Sequence, residues 1–466
     1  MGLSVIILAA GKGSRMYSER PKVLQTLAGK SLIRHVIESV QHLTLDQLLV
    51  VYGHQGNRLQ QSLTDVPITW VEQSEQLGTG HAVAQALPYI PDDHQVLVLY
   101  GDVPLINHET LAHLVHICGP EALGVLTTTV DNPSGLGRIL RNRFGEVEAI
   151  VEEKDATDLQ KQINEINTGI CCAPADKLKQ WLPQLSNRNQ QHEYYLTDIV
   201  ELAGADATSI KVTQPIDNLE IMGVNTRSQL AKLERQWQLS VAERIMDQGV
   251  SLADPARFDV RGQATIGYDT WIDVNVLLRG NVTIGKNCVI GANVILKDCV
   301  IGDGVKVKPY SIIDGSQVDS SAVIGPYARI RPESHIYENA AVGNFVEVKK
   351  STLGPMTKAN HLSYIGDASI EAGVNIGAGV ITCNYDGANK HTTTIEADAF
   401  IGSNSALVAP LTIGTGATVG AGSTVSRDVK AHELVITRVR QRHVDNWQRP
   451  QKKQNASTDP HDKEEG

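Results

Sequence analysis

The sequence predicts an α/β domain with a mainly parallel sheet, followed by a parallel β-helix of six-residue repeats. Two observations carry this. Over residues 1 to about 225, compact aliphatic runs (Ser4–Leu8, Gln47–Val51, Gln95–Tyr100) alternate with helical stretches such as Ser31–Val40 and Gly80–Leu87. That is the pattern of parallel strands joined by crossover helices. From Ile266 to Val425, aliphatic residues return at every sixth position. Ile266, Ile272, Leu278, Ile284 and Ile290 are in register, as are Ile324, Ile330, Ile336, Val342 and Val348. The third block is Ile395, Ile401, Leu407, Ile413, Val419 and Val425. A period of six fits neither an amphipathic helix nor an alternating strand. It fits a solenoid whose short strands each turn one aliphatic side chain inward before a small residue at a corner, as in Ile284-Gly285 and Ile401-Gly402. A β-sandwich with Gly-rich turns would not hold a fixed spacing through three long blocks.

Length and composition agree with this division. At 466 residues the chain exceeds what one core serves, and two or three domains are expected. The formal charge of -10 argues against a nucleic-acid-coating protein, and 5% aromatics suits a solenoid of Ile, Val and Gly. The six cysteines form no C-x-x-C pair and read as free thiols of a reducing compartment. The N-terminal apolar run lacks a basic flank and is too short for a signal peptide, and no segment reaches membrane-spanning length. A cytoplasmic protein without membrane insertion is expected.

Two features of the first domain fall at carboxyl ends of strands, where ligands of such sheets bind. The first is Leu8-Ala9-Ala10-Gly11-Lys12-Gly13-Ser14-Arg15, followed by Pro21-Lys22. Its amides can approach phosphate closely, and Arg15 and Lys22 supply cations. It is neither a Walker A loop nor G-x-G-x-x-G. The second is Tyr100-Gly101-Asp102-Val103-Pro104, whose carboxylate suits Mg²⁺ or, alternatively, caps the next turn. His81, in Leu77-Gly78-Thr79-Gly80-His81, reads as structural.

Residues 228–249 read as an amphipathic linker helix, with Leu230, Leu233, Trp237, Val241 and Ile245 at helical spacing. The predicted domains are therefore 1–227, the linker helix, the β-helix over 250–450, and a polar, disordered tail over 451–466. In the β-helix, three six-residue faces make a coil, so positions eighteen apart stack. Arg331 and Lys349 are so spaced, and Arg329 stacks on Glu347 as an opposite-charge pair. Stacked like charges call for an anion between them, and a phosphate is expected there; the alternative is two solvated side chains splayed apart. The six-residue rhythm breaks at Ser351–Tyr364, which contains His361, and at Ile381–Thr394, which contains Asn384-Tyr385. Insertions in solenoids emerge as loops that commonly form the binding face.

The motifs LAAGKGSRM, PKVL, EQLGTGHA, YGDVPL, EINTGI and the Asn closing IMGVN resemble those of sugar-nucleotide pyrophosphorylases. The repeat resembles the hexapeptide family of left-handed parallel β-helices, mostly trimeric acyltransferases; the left hand rests on that resemblance. Together the chain resembles the bacterial bifunctional uridylyltransferase–acetyltransferase family, except in its last fifteen or so residues. The resemblance implies an α/β nucleotidyltransferase (Rossmann-like) domain in which Leu8, Ala9, Ala10, Gly11, Lys22, Gln73, Gly78 and Thr79 contact UTP. Tyr100, Gly101, Gly137, Glu152 and Asn167 would serve the sugar, and Asp102 and Asn225 would hold Mg²⁺, with Asn225 also at the UDP-sugar. In the β-helix, His361 would be the general base of acetyl transfer, since attack needs an unprotonated amine. Arg331, Lys349, Tyr364 and Asn375 would bind glucosamine 1-phosphate, and Ala378, Asn384, Tyr385, Ser403, Ala421 and Arg438 acetyl-CoA. Arg438 lies beyond the last hexad, in a segment placed to reach a neighbouring subunit. The implied sequence of reactions acetylates glucosamine 1-phosphate and then transfers UMP from UTP to N-acetylglucosamine 1-phosphate. The product, UDP-N-acetylglucosamine, feeds envelope polymers such as peptidoglycan and lipopolysaccharide, and the enzyme would be a homotrimer. The uridylyl step needs no general base, because its nucleophile is already a phosphate anion. Charge and positioning by Mg²⁺, Arg15, Lys22 and loop amides are what it requires. A mono-functional nucleotidyltransferase with an oligomerising β-helix is the second reading, and a non-enzymatic exchange-factor subunit the third.

Overall fold

The computed structural model describes residues 2–53 and 56–452. Strands β1 (Gly2–Ala9), β2 (Gln47–Tyr52), β3 (Thr69–Glu72) and β4 (His94–Tyr100) are parallel neighbours in the order β3-β2-β1-β4. Val5, Ile6 and Ile7 are fully buried, because helices cover both faces of the sheet and a continuous aliphatic strand then has no solvent side. On one face lies α1 (Leu32–Val40), whose Ile33, Val36, Ile37 and Val40 form a single buried stripe. On the other lies α2 (Thr79–Ala86), through Ala82, Val83 and Ala86. Beyond β4 the sheet continues through an antiparallel strand, Glu165–Pro174, flanked by Leu123–Thr129 and then Ile210–Thr213.

The helix α3 (Arg227–Asp247) opens with a capping box between Thr226 and Gln229. It serves two cores. Leu230 and Leu233 pack with Met16, Leu27, Leu32 and Val224 of the first domain. Val241, Ala242 and Ile245 join the interior of the β-helix. Between these halves, Glu234 accepts from the Ala28 amide (2.6 Å) and from Gln238 Nε2 (3.0 Å). Buried Gln238 in turn bonds both backbone groups of Val260 (2.8 and 2.9 Å), copying the pattern of a strand neighbour. A boundary drawn at Arg227 therefore severs Leu230 and Leu233 from the domain they fill.

Every residue of the sixfold ladder points inward, none more than 7% exposed. Three residues after many of the inward aliphatics the chain turns through the left-handed region, at Asn275, Asn287, Asn293, Asn339, Asn404 and others. Asn tolerates that conformation better than most side chains. Coils take seventeen or eighteen residues: Arg329 stacks on Glu347, but Val289 on Lys306 and Asn344 on His361. This corrects the expectation of a loop at Ser351–Tyr364. The break there is the loss of one residue from a coil, and His361 ends a regular strand, Lys358–His361. The second break is a true insertion, since Ala368 stacks on Thr393 across a stretch seven residues longer than the next coil, Thr393 to Leu411. Of the tail, residues 453–466 lie outside the described residues.

Candidate active sites

The first site opens at the carboxyl ends of β1, β3 and β4. Leu8, Ala9, Ala10, Gly11, Lys22, Gln73, Gly78, Thr79, Tyr100 and Asp102 line one cleft of about 220 Å³. The strand order produces this: Gly101 donates its amide to Leu8 O (3.0 Å), and Gln73 donates its amide to Tyr52 O (2.8 Å), so the end of β4 is tied to that of β1 and the end of β3 to that of β2. Gly78 holds φ 112°, a conformation that frees the chain to start α2 at the cleft wall. Lys22 forms an ion pair with Asp102 and donates to Asn225 Oδ1 (3.0 Å). Asp102 and Asn225, far apart in sequence, thus direct oxygens at one cationic group.

The sugar-side residues adjoin this cleft. Tyr100 and Asn167 line a small neighbouring cavity. Asn167 donates its amide to Gly137 O (2.9 Å), and a Cβ at Gly137 would lie 3.5 Å from the Glu152 carboxylate. Burial pushes the Glu152 carboxyl and the Tyr100 phenol upward. Arg15 is not gathered with these: it sits exposed on a short turn, Ser14–Met16, away from the cleft lining. Val23, Gln76 and Ala82, which lie within the PKVL and EQLGTGHA motifs but to which the resemblance gives no role, also line the cleft, as does Glu193, which lies outside the motifs.

The second site lies along one edge of the prism. Asn344 stacks on His361, and hydrogen bonds continue the column upward: Gly379 N to His361 O (3.4 Å), Asn404 N to Ala378 O (2.8 Å) and Gly422 N to Ser403 O (2.7 Å). The proposed cofactor residues Ala378, Ser403 and Ala421 therefore share an edge with His361. The left-handed corner of that edge changes character along its length. Below it carries Tyr310, Tyr327, Phe345 and Leu362, and above it Gly379, Asn404 and Gly422. The rings of Tyr310, Tyr327 and Phe345 stack at 4.9 and 5.3 Å, forming a bulky wall that ends where the small residues begin. His361 Nδ1 bonds Asn344 Oδ1 (3.0 Å). A side-chain oxygen there requires Nδ1 to carry the proton, which leaves Nε2 as the basic nitrogen.

The next edge round is ionic. Arg331 pairs with Glu347 (2.8 Å) and Lys349 with Asp367 (3.2 Å). Glu347 is in strand register with Arg329, as the sequence suggests, but its carboxylate goes to Arg331 instead. The stacked cations are thus already met by carboxylates and do not by themselves demand an anion. Burial works to raise Asp367, yet Asn384 and Lys349 hold it below the usual carboxylate range. The insertion folds back through a bridge between Tyr385 and Lys390, which brings Lys390 against Lys349; that neighbour pushes the Lys390 ammonium down. Lys390 was not visible as a site residue in the sequence. Tyr364 stands on the face between the two edges, its hydroxyl 3.5 Å from Asn384 Nδ2. Asn375 lies across the His361 edge, on the strand above Lys358. Arg438 donates to Ala421 O of its own chain, which brings it to the same edge as the small corner residues.

An α/β cleft of this build, joined to a hexad prism, defines a nucleotidyltransferase fused to a hexapeptide-repeat transferase. Comparison with known families agrees. Residues 5–166 match the MobA-like NTP transferase domain, 263–298 the bacterial transferase hexapeptide (six repeats), and 392–427 the hexapeptide repeat of succinyl-transferase. The prism is accordingly a left-handed parallel β-helix. The chain is 59% identical over 453 residues to the Bifunctional protein GlmU of Francisella philomiragia, covering 97% of this chain and 100% of that one. It is equally similar to the Bifunctional protein GlmU of Francisella tularensis subsp. novicida, covering 97% and 99%. The chain belongs to the GlmU family of bifunctional proteins. It is a bifunctional enzyme, a uridylyltransferase and an acetyltransferase on one polypeptide.

Proposed function

We propose that the prism acetylates glucosamine 1-phosphate with acetyl-CoA and that the α/β cleft then joins the product to UMP from UTP, releasing pyrophosphate. The observation that carries the division is the alignment of His361 with a run of small corner residues on one edge, beside a cationic edge bearing Arg331, Lys349 and Lys390. A sugar phosphate spanning the Tyr364 face would set its phosphate among the cations and its amine at the imidazole. His361 Nε2 takes the amine proton as the nitrogen attacks the thioester carbonyl, while Asn344 fixes the ring; the C–S bond then breaks and CoA leaves as the thiolate, which takes up a proton from the imidazolium or from solvent. Acetyl-CoA would lie along Ala378, Ser403 and Ala421, where no bulky side chain blocks the edge.

In the cleft, the Leu8–Gly11 amides and Lys22 would cradle the nucleotide phosphates, and Gln73 would meet the base. The convergence of Asp102 and Asn225 oxygens on one cationic group fits a hard divalent ion such as Mg²⁺. When bound, Mg²⁺ supplies charge that offsets the phosphate anions. Lys22 would then turn from the carboxylate to the phosphates, and the sugar phosphate attacks without a base. A homotrimer working in the cytoplasm, where both co-substrates are made, completes this reading. The test is a coupled conversion of glucosamine 1-phosphate, acetyl-CoA and UTP with each omitted in turn. UDP-N-acetylglucosamine should appear only with all three, and free acetylated sugar phosphate when UTP alone is missing. Uridylylation of unacetylated sugar phosphate at a comparable rate would refute the order.

A further inference from the structure

His81 does not line the nucleotide cleft, but it is hydrogen-bonded to Gln73, which does. Gln73 is 3% exposed, and its side-chain amide nitrogen lies 3.1 Å from Gly78 O and 3.0 Å from His81 Nδ1. A backbone carbonyl only accepts, so the group facing Gly78 must be the amide nitrogen and not the oxygen. The same nitrogen then donates to His81 Nδ1, which places the imidazole proton on Nε2. That nitrogen is in turn 3.2 Å from Gln85 Nε2, one turn along α2; two N–H donors cannot face each other, so the Gln85 amide must be turned over to receive the proton through its oxygen. Both Gln73 protons are consumed behind the wall. Its oxygen is the group left for a ligand.

We infer that His81 is a specificity-determining positioning residue, which selects uracil over cytosine by locking the Gln73 amide with its oxygen toward the base. The inference rests on the reading of Gln73 as the base contact. Uracil carries a proton on N3 and donates to such an oxygen. Cytosine presents a lone pair at N3, so a base held in the same place meets oxygen with a lone pair, and a buried unpaired acceptor is penalised. Without His81, one of the two bonds that hold the Gln73 amide is lost and only the Gly78 carbonyl still favours this orientation, so the turned-over amide, which offers its NH₂ group to cytosine, is populated more often.

The experiment measures kcat/KM of the full-length enzyme with UTP and with CTP, using N-acetylglucosamine 1-phosphate as acceptor. The variants are His81→Phe, His81→Leu, His81→Asn and Gln73→Ala, and thermal melts confirm folding. His81→Phe and His81→Leu, which remove the acceptor, should lower the UTP/CTP ratio about tenfold or more, chiefly through the KM for UTP. His81→Asn places an amide oxygen near the lost Nδ1 and should restore the ratio to within about threefold of the parent. A purely structural His81 would change both nucleotides alike. The inference is overturned if Gln73→Ala loses discrimination while folded His81→Phe and His81→Leu keep it. If Gln73→Ala itself leaves the ratio unchanged, the assignment of Gln73 to the base falls, and this inference with it.

Discussion

At the scale of single residues, each proposed centre works through a group that holds another group still. His361 is exposed on its edge, and its orientation comes from Asn344 one coil below. Replacing His361 with Ala should cut acetyl transfer by about 10²–10⁴-fold, the usual range for a lost general base, while uridylyl transfer stays near normal. Parallel loss of both activities in a folded variant would rule out the division of labour. Asp198 offers a different check. Burial pushes its carboxyl up to about 6, with Glu201, Glu152 and Asp155 adding to the shift. A carboxyl whose folded value exceeds its unfolded one favours the protonated native state. Its contribution is present in full below the ordinary Asp range and lost as pH rises through about 6. Asp198→Asn should therefore raise Tm at pH 7 and give little or no gain at pH 3.5. An equal gain at both pH values would show that the effect is not ionic.

At the scale of elements, α3 is the part whose role the sequence showed only in half. Its amphipathic spacing was legible, because core-facing residues recur at helical intervals. Its two clients were not, because Leu233 and Ile245 look alike until the chains they touch are known. A fragment ending at Gln238 should fold and retain uridylyl transfer. One ending at Arg227 should be about 2–5 kcal/mol less stable in urea titration, since fully buried Leu233 is gone and its site is left open. Equal midpoints would place Leu233 outside the domain's core. The three blocks of the ladder were readable because their inward points are aliphatic; Thr382, buried in register with Leu407, is a polar residue at such a point and falls where the rhythm was lost. The register was harder. An eighteen-residue rule pairs His361 with Gly343, whereas the short coil pairs it with Asn344. A missing residue and an added loop break a periodicity in the same way on paper. Only the second, at Asn384–His391, builds a new surface, and Lys390 became visible with it.

At the scale of the whole molecule, the two proposed centres share a strut but, among the described residues, no side chain. The bonds from Ala28 through Glu234 and Gln238 to Val260 tie the first domain to the first coil. The proposed acetyl centre, at His361, lies several coils farther along the prism. Chelation of divalent ions should therefore abolish uridylyl transfer and leave acetyl transfer within about twofold of its starting rate. Comparable loss of both would mean that a metal also supports the prism site. The Gln238 fragment should sediment as a monomer if the prism is the assembling part, and as a trimer if it is not.

The column of corners that runs from Tyr310 to Gly422 has one more consequence. Each coil adds one corner, and neighbouring coils sit roughly 4.8 Å apart, so the open part of that edge is measured out in whole steps. Evolution cannot lengthen it by a fraction of a step. A co-substrate that lies there is gauged by a ruler with fixed graduations, its zero marked by the last aromatic ring.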